Sequence, residues 1–198
     1  MFVLKENLEH LDYQCHVVDL PLTCTSISTC TAVFKERFLE LTAELKSEDK
    51  INLVGHSTGG IIIRNFLATT NYQNKIDKAV LIATPNQGSQ LANIAAKFLP
   101  LFVKIFKPLH SLQQDNFKNL KLKVPKSVAL GAIAGNKSNL FLGNLLQAAN
   151  DGRIKVKEVT DERLDDFIVL PYGHKGIHYQ FKTAKLVDSF LKDDQFEN

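Results

Sequence analysis

One short stretch of the sequence places a serine between glycines where a predicted strand meets a predicted helix. The stretch is GHSTG at residues 55–59, preceded by the apolar segment 51–54 and followed by the apolar run 61–63. A G-x-S-x-G pattern in this context is typical of a strained turn that lifts a serine hydroxyl out of a sheet. Such a serine can attack an electrophilic carbon once a neighbouring base removes its proton. We therefore expect Ser57 to be a nucleophile, and the alternative is an idle serine in a glycine-rich turn.

The turn also predicts roles for the neighbours of the serine. Side chains at Gly55 and Gly59 are expected to collide with the adjoining strand and helix, which explains the glycines. Ser57 would lie at a helix N-terminus, where free N–H groups and the helix dipole favour negative charge. The backbone N–H of Thr58 is therefore a candidate oxyanion donor. We expect His56 to point away from the substrate side and to serve in packing or hydrogen bonding.

A serine near neutral pH needs a base, and the base needs an acid that orients it. In a strand–turn–helix arrangement the acid and then the histidine follow the serine, each in a loop after a later strand. The predicted last strand, 166–171, leads into YGHKGIHYQ, so His174 and His178 are the candidate bases. We favour His174, which comes three residues after the strand in a loop bounded by glycines. His178 lies closer to the terminal helix and is the alternative.

The acid is expected in the loop after the predicted strand 127–135. Asp151 lies there in an Asn-Asp-Gly turn, although aspartates are also common in ordinary turns. Asp161, Asp165 and Asp166 are rivals in the acidic stretch DERLDD, which we interpret as a solvated approach to the last strand. Asp19 precedes the serine and has the wrong order. Asp151 is therefore the preferred acid.

The elements that must position these residues alternate along the chain. Continuous apolar runs of strand length predict buried strands, at Cys15–Leu20, Ile51–Gly55, Ala79–Thr84, Ser127–Gly135 and Asp166–Pro171. Helical patterns separate them, including an apolar stripe from Phe34 to Leu45 and another from Ala184 to Leu191. The alternation predicts an α/β fold with a mostly parallel sheet of about five to six strands and helices on both faces.

One region, 87–125, interrupts this alternation without a strand signal. An apolar helical face runs through it from Leu91 to Phe106. The segment is either a pair of helices packed on the sheet or a helical cap insertion whose apolar side holds an acyl chain. Phe98 and Phe102 are the candidate substrate contacts in the second case. We expect residues 1–198 to form a single domain that includes this insertion.

Composition excludes several other classes of protein. The chain has 198 residues with 44% hydrophobic and 23% charged content, which is typical of a globular protein with a real core. A net charge of +3 is too small to indicate a nucleic-acid partner, and we interpret the basic run at 118–126 as a solvated segment. The three cysteines form no CxxC pair, so we expect neither a disulfide framework nor a metal site.

Targeting and membrane signals are weak as well. The first residues carry charges too early for a secretory signal. The apolar stretch 98–106 contains Pro100 and Lys104 and falls short of the about 20 residues that a membrane helix needs. We therefore expect a soluble, cytoplasmic protein without stable membrane insertion.

Several motifs together resemble the lipase/esterase branch of the α/β-hydrolase fold. They are LVGHSTGG at the turn, LIATPNQGS at 81–89, NDGRIKV in the acid loop, FIVLPYGH in the histidine loop and the upstream HVVDLP. The likeness to bacterial lipases extends from about Leu8 to Phe190. It implies that Ser57, Asp151 and His174 are nucleophile, acid and base. The implied reaction is hydrolysis of a small-molecule or lipid-like ester through an acyl-enzyme, without metal or cofactor.

The sequence departs from this family at its start. In such enzymes a strand and a His-Gly type loop precede the first helix, and that loop supplies the second oxyanion N–H. Here MFVLKENLEHL at residues 1–11 is predicted to be that first helix, which indicates a shortened α/β-hydrolase. Losing one oxyanion donor costs about 100- to 1000-fold in turnover. We expect Met1–Phe2 or the cap to supply a substitute, or activity to be low.

Two alternatives to an ester hydrolase follow. One is cleavage of a thioester or amide by the same residues. The other is a non-catalytic or weakly active hydrolase-like module that binds a lipid or a protein through the cap. The absent strands would also leave a sheet edge open, which a second subunit in a homodimer would cover.

Overall fold

A parallel sheet of four strands forms the centre of the described residues. The computed structural model describes residues 1–46, 48–138 and 141–197, without the side chains of residues 100, 102, 104, 141, 142 and 144. The strands are β1 (Ile51–His56), β2 (Ile76–Ile82), β3 (Ala129–Gly135) and β4 (Asp166–Leu170). They pair in the order β1-β2-β3-β4, and all three ladders are parallel. The carboxyl ends of the strands therefore meet at one edge of the sheet.

Helices precede, connect and follow these strands. They are α1 (Phe2–Glu9), α2 (Ile27–Thr42), α3 (Thr58–Thr69), α4 (Gln90–Phe98), α5 (Pro100–Ile105), α6 (Lys107–Ser111), α7 (Gln114–Phe117), α8 (Val156–Val159) and α9 (Phe181–Asp193). Short 3₁₀ turns occur at Gln73–Lys75, Phe141–Leu146 and Ile177–Tyr179. In the described part of the chain, every helix is too short or too polar to cross a membrane.

The sheet is covered on both faces, and the side-chain alternation of its strands shows how. In β2, Ala79 and Leu81 pack in one cluster with residues of α2 and α3. Val80 and Ile82 belong to the opposite cluster, with residues of α1 and α9. Successive side chains of a strand point to opposite faces, so a strand covered on both faces is apolar throughout. The predicted α/β class with helices on both faces is confirmed.

Helix α3 connects β1 to β2 and lies at the centre of the cluster that it forms with α2. Its residues Ile61 to Ile63, Phe66 and Leu67 are all buried. Phe66 packs against Phe34 and Phe38 of α2, with ring centroids 5.1 and 4.9 Å apart. Burial on nearly every side is what the apolar sequence of this segment predicts. The packing holds the start of α3 rigidly at the end of β1.

The predicted strand at 15–20 is wrong, and the described sheet has four strands rather than five or six. Among the described residues β1 pairs only with β2, and no strand lies beside segment 15–20 to supply ladder partners. Its apolar residues pack sideways instead: Val18 and Leu20 against the α2–α3 cluster and Cys15 against the α1–α9 cluster. An apolar run forms a strand only where a neighbour accepts its backbone hydrogen bonds.

The region between β2 and β3 contains helices α4 to α7 and no strand in its described residues. Ser89 caps α4 by accepting a hydrogen bond from the backbone N–H of Ala92, and both residues are buried. Ser89 N–H donates to the carbonyl of Leu112 at 2.8 Å, which joins the beginning of α4 to the end of α6. The helical insertion is therefore fastened to the domain at its base.

Candidate active site

Ser57 occupies the sharp turn between β1 and α3. Its backbone has φ 54° and ψ −125°, a conformation that a residue with a side chain seldom adopts. Ser57 N–H donates to the carbonyl of Ile82 at 2.9 Å, which extends the β1–β2 ladder by one bond. Gly60 N–H donates to the Ser57 carbonyl at 3.0 Å and starts the helix. Strain of this kind persists only where the surroundings enforce it and is common at functional sites.

The glycines around the turn are not equivalent. A Cβ at Gly55 would lie 2.7 Å from the backbone nitrogen of Gly60, and a Cβ at Gly60 would lie 2.0 Å from Thr84 Oγ1. A Cβ at Gly59 would meet no atom within 4 Å. The expected collision is therefore confirmed for Gly55 and wrong for Gly59. Gly60, which lies outside the five-residue pattern, is the second glycine that packing requires.

Three side chains from separate loops form a continuous hydrogen-bonded chain. Ser57 Oγ lies 3.1 Å from His174 Nε2, and His174 Nδ1 lies 2.7 Å from Asp151 Oδ2. Ser57 follows β1, Asp151 lies in the connection between β3 and β4, and His174 follows β4. The parallel strands bring these loops to the same edge of the sheet. The structure thus brings together the three residues that the sequence proposes as nucleophile, acid and base.

Hydrogen bonding determines the direction of each link in this chain. The other oxygen of Asp151, Oδ1, accepts from the backbone N–H groups of Arg153 and Ile154 at 2.9 and 2.8 Å. Asp151 is fully buried, and its carboxylate oxygens are the acceptors in these bonds. His174 must then donate from Nδ1. Its Nε2 is left to accept the proton of the Ser57 hydroxyl.

Backbone contacts join the acid loop to the histidine loop. His174 N–H donates to the carbonyl of Asp151 at 2.8 Å. Gly135, at the end of β3, lies beneath both loops, because a Cβ there would come within 2.4 Å of the Tyr172 carbonyl and 2.9 Å of Asp151 Cβ. Gly135 was not among the residues predicted from the sequence. Its signal was a glycine at the carboxyl end of a buried strand, where loops approach closely.

His56 supports the base from the other side. Its Nε2 lies 2.8 Å from the carbonyl oxygen of His174, and a carbonyl only accepts, so Nε2 donates. The ring centroids of His56 and His174 are 4.8 Å apart. Burial, and then the charge of a protonated His174, lower the pKa of His56 to about 3. His56 is thus a neutral hydrogen-bond donor at physiological pH, in agreement with the expectation that it is not a base.

His178, the alternative base, stacks behind His56 with ring centroids 4.4 Å apart. It is buried, and its Nδ1 has no hydrogen-bond partner among the described residues. Burial, with a smaller effect of the Met1 amino group, lowers its pKa to about 4. The hydrogen bond to Ser57 comes from His174, so the geometry supports His174 over His178.

The rival aspartates make structural contacts away from Ser57. Asp161 pairs with the buried Arg64 at 3.0 Å, so its interpretation as a solvated residue is wrong. Asp165 accepts from the backbone N–H of Leu130 at 2.8 Å. Asp166 accepts from the backbone N–H of Phe196 at 2.6 Å. Each carboxylate stabilises a loop or a strand end, which leaves Asp151 as the acid beside His174.

The remaining candidates are one backbone donor and two phenylalanines of the insertion. Thr58 is the first residue of α3, and the first N–H groups of a helix have no acceptor within it. Phe98 ends α4 and is 71% exposed, while Phe102 lies in α5 with its side chain outside the described part of the structure. Within the described residues, no three His, Cys, Asp or Glu side chains are grouped as metal ligands would be. The predicted role of the two phenylalanines as substrate contacts stays a prediction.

Comparison with protein families supports the architecture. A family model described as alpha/beta hydrolase fold matches residues 2–120 of the chain. That range includes β1, the Ser57 turn, α3 and β2. No curated protein sequence matches the chain.

Solved structures with a similar fold include bacterial and plant enzymes. The lipase BlEst2 of Bacillus licheniformis, in its mature form, has a TM-score of 0.75 at 21% identity, over 95% of this chain and 82% of its own. The metagenomic carboxyl esterase MGS0156 has a TM-score of 0.75 at 17% identity, over 96% and 69%. The methylesterase MES16 of Arabidopsis has a TM-score of 0.53 at 18% identity, over 96% and 91%. At these identities the likeness shows the fold.

Proposed function

This chain belongs to the alpha/beta hydrolase fold family, and from that premise we propose that it hydrolyses carboxylic esters with Ser57 as nucleophile. His174 is the general base in this proposal, and Asp151 orients it. The observation that carries the proposal is the hydrogen-bonded chain from Ser57 Oγ through His174 to Asp151, with links of 3.1 and 2.7 Å. These distances are within the range that proton transfer from a nucleophile to its base requires.

The reaction proceeds in two halves. Ser57 Oγ attacks the ester carbonyl carbon while His174 Nε2 takes the hydroxyl proton, and the ionised Asp151 stabilises the resulting imidazolium. The tetrahedral intermediate collapses, the ester C–O bond breaks, and His174 returns the proton to the departing alkoxide. Water then repeats the sequence on the acyl-enzyme and releases the carboxylic acid. The buried Asp151 also prevents the imidazole from turning away between the two halves.

Charge on the carbonyl oxygen develops near the beginning of α3. The Thr58 N–H is the proposed donor there, and the helix dipole adds to its effect. We propose an ester with an apolar acyl group as the substrate, because the insertion between β2 and β3 is rich in apolar residues. The named ester hydrolases of similar fold, a lipase, a carboxyl esterase and a methylesterase, are consistent with that class.

A fluorophosphonate probe tests the nucleophile directly. We expect one adduct in the intact mass of the folded protein, and peptide mapping should locate it on Ser57. Ser57→Ala should lose the adduct and reduce turnover of p-nitrophenyl butyrate by on the order of 10⁶-fold. Ser28→Ala, at an exposed serine of α2, is the matched control and should keep both.

Two results together would contradict the proposal. One is the absence of an adduct on wild-type protein whose circular-dichroism spectrum shows that it is folded. The other is equal p-nitrophenyl butyrate hydrolysis by wild type and Ser57→Ala. An adduct on Ser57 without ester turnover would retain the nucleophile and reject the substrate class.

A further inference from the structure

Four large apolar residues lie exposed on the helical insertion. Leu101 is 76% exposed and Phe98 is 71% exposed, while Leu99 and Ile105 are each more than half exposed. We call these four residues the outer cap face. They fall within eight consecutive positions of the chain, at the end of α4 and along α5. A cluster of apolar side chains of this size on a surface indicates a contact with another molecule.

The orientation of α5 explains why these side chains face outward. Leu101 and Ile105 are four residues apart and therefore lie on the same side of the helix. Val103, on the opposite side, is 2% exposed and packs inward. Helix α5 therefore packs against the domain through the side that carries Val103. The outer cap face is a second apolar surface, which the packing of the described residues leaves uncovered.

The part of the sequence that carries this surface is basic. Residues 78–150 contain nine lysines and a single acidic residue, Asp115. The chain as a whole carries only +3, so its other segments are net acidic. Lys97 and Lys107 are exposed at the two ends of the outer cap face. The ammonium group of Lys97 lies 5.9 Å from the centroid of the Phe98 ring, so the cation and the aromatic ring are adjacent.

The outer cap face also lies on the side of the domain where the proposed chemistry occurs. The insertion leaves the sheet at the carboxyl end of β2, and Ser57 follows the carboxyl end of the neighbouring strand β1. A molecule bound at the outer cap face would therefore approach the same edge of the sheet as Ser57.

We propose that the outer cap face docks onto the surface of an anionic lipid bilayer, with Phe98 and Leu101 inserted among the acyl chains and Lys97 and Lys107 at the headgroups. Exposed apolar side chains, flanked in the sequence by lysines and by no acidic residue from 78 to 114, match such a surface in both polarity and charge. A protein partner would have to present an apolar patch within an acidic rim. The inference goes beyond the proposed ester hydrolysis, because docking requires neither Ser57 nor His174.

A single tryptophan substitution tests whether the outer cap face inserts into a lipid bilayer. The chain has no tryptophan, so Phe98→Trp provides the only indole emission. We expect a blue shift when vesicles of phosphatidylcholine with an equal part of phosphatidylglycerol are added, and quenching when the lipids carry brominated acyl chains. Phe181→Trp is the matched control, because Phe181 is an exposed phenylalanine of α9 beside Lys182 and Lys185. Its emission should not change.

Charge reversal tests the lysines. Lys97→Glu/Lys107→Glu should weaken vesicle binding by at least about 25-fold, because each positive charge removed from an anionic surface costs about fivefold and the two new carboxylates are also repelled. Lys182→Glu/Lys185→Glu makes the same charge change on α9 and should leave binding unchanged. Salt at about 1 M, where the Debye length is about 3 Å, should weaken wild-type binding as well.

Several outcomes would overturn docking. They are an unshifted Phe98→Trp spectrum with anionic vesicles, equal binding to phosphatidylcholine alone, or a shift that grows with protein concentration without lipid. The last result would assign the face to a second copy of the chain. Two measurements separate the proposals. Ser57→Ala that binds vesicles but is inactive retains docking, whereas wild-type protein that turns over p-nitrophenyl butyrate without binding vesicles retains only the hydrolase.

Discussion

At the scale of single residues, three adjacent histidines share the site but make different contacts. His174 donates to Asp151 and faces Ser57, whereas His56 donates to the backbone of His174. Burial lowers the pKa of His56 to about 3 and that of His178 to about 4. Two neutral imidazoles next to His174 keep additional positive charge away from it. They also make the folded state sensitive to acid.

Acid is expected to destabilise the protein through these two residues. Their folded pKa values lie below the ordinary 6.5, so between about pH 6.5 and pH 4 the unfolded chain binds more protons than the folded one. The free energy of unfolding should therefore be highest above pH 6.5 and fall as the pH is lowered through this window. Urea unfolding at a series of pH values measures the slope.

The variant His56→Gln keeps a donor for the His174 carbonyl and removes one titrating group. Its free energy of unfolding should depend less steeply on pH below 6.5 than that of the wild type. His16→Gln replaces an exposed histidine and should reproduce the wild-type slope. A wild-type slope in His56→Gln would show that His56 is not buried as a neutral group.

At the scale of elements, the junction of β1 and α3 depends on how closely the strand end approaches the helix start. Gly55 lies against the backbone nitrogen of Gly60, and Gly60 lies against Thr84, which follows β2. These contacts hold Ser57 in its strained conformation. Gly59, on the exposed side of the first helical turn, makes no such contact.

Alanine substitutions at the two glycines of the pattern should therefore have opposite effects. Gly55→Ala should cost about 1–3 kcal/mol of unfolding free energy, because the new Cβ meets backbone that no rotamer change can move. Gly59→Ala should be neutral or stabilise by up to about 1 kcal/mol, because alanine is the better helix former. Thermal and urea unfolding give both values. Equal destabilisation by the two substitutions would contradict the packing of the turn.

At the scale of the whole molecule, a buried arginine joins segments that are far apart in the chain. Arg64 of α3 pairs with Asp161 at 3.0 Å, and the side chains are only 6% and 16% exposed. The guanidinium also donates to Asn86, just before the insertion, and to the Leu122 carbonyl, near the end of the insertion. Burial lowers the pKa of Arg64, and Asp161 opposes this effect. The cluster fastens the active-site helix to both ends of the insertion.

Breaking this pair should destabilise the fold far more than breaking an exposed one. Asp161→Asn should cost roughly 3 kcal/mol, the lower end of the range for a buried pair, because Asn86 and Leu122 still accept from Arg64. The side chain of Glu40, which pairs with Arg37, is 63% exposed. Glu40→Gln breaks this exposed pair and should cost about 0.5 kcal/mol or less. Urea unfolding compares them. A cost for Asp161→Asn as small as that of Glu40→Gln would mean that solvent screens Arg64.

The sequence by itself determined the class of fold, the order of strands and helices after residue 50, and the position of the turn at Ser57. These features are local: apolar periodicity reports which faces of a segment are buried, and GHSTG specifies a turn within five residues. The order Ser57, Asp151, His174 was also readable, because parallel strands bring successive loops to one edge. The prediction of a strand at 15–20 was wrong, since periodicity reports burial and cannot supply a pairing partner.

Only the tertiary structure decided the contacts between residues distant in sequence. It selected His174 over His178 beside Ser57, assigned Asp161 to Arg64, and placed the close contact at Gly60 instead of Gly59. It also showed that Leu101 and Ile105 of α5 face outward, whereas the apolar periodicity of the sequence allowed either orientation. The physical reason is the same in each case. Side-chain chemistry is encoded residue by residue, but which groups meet depends on the separation and register of strands that the chain brings together only on folding.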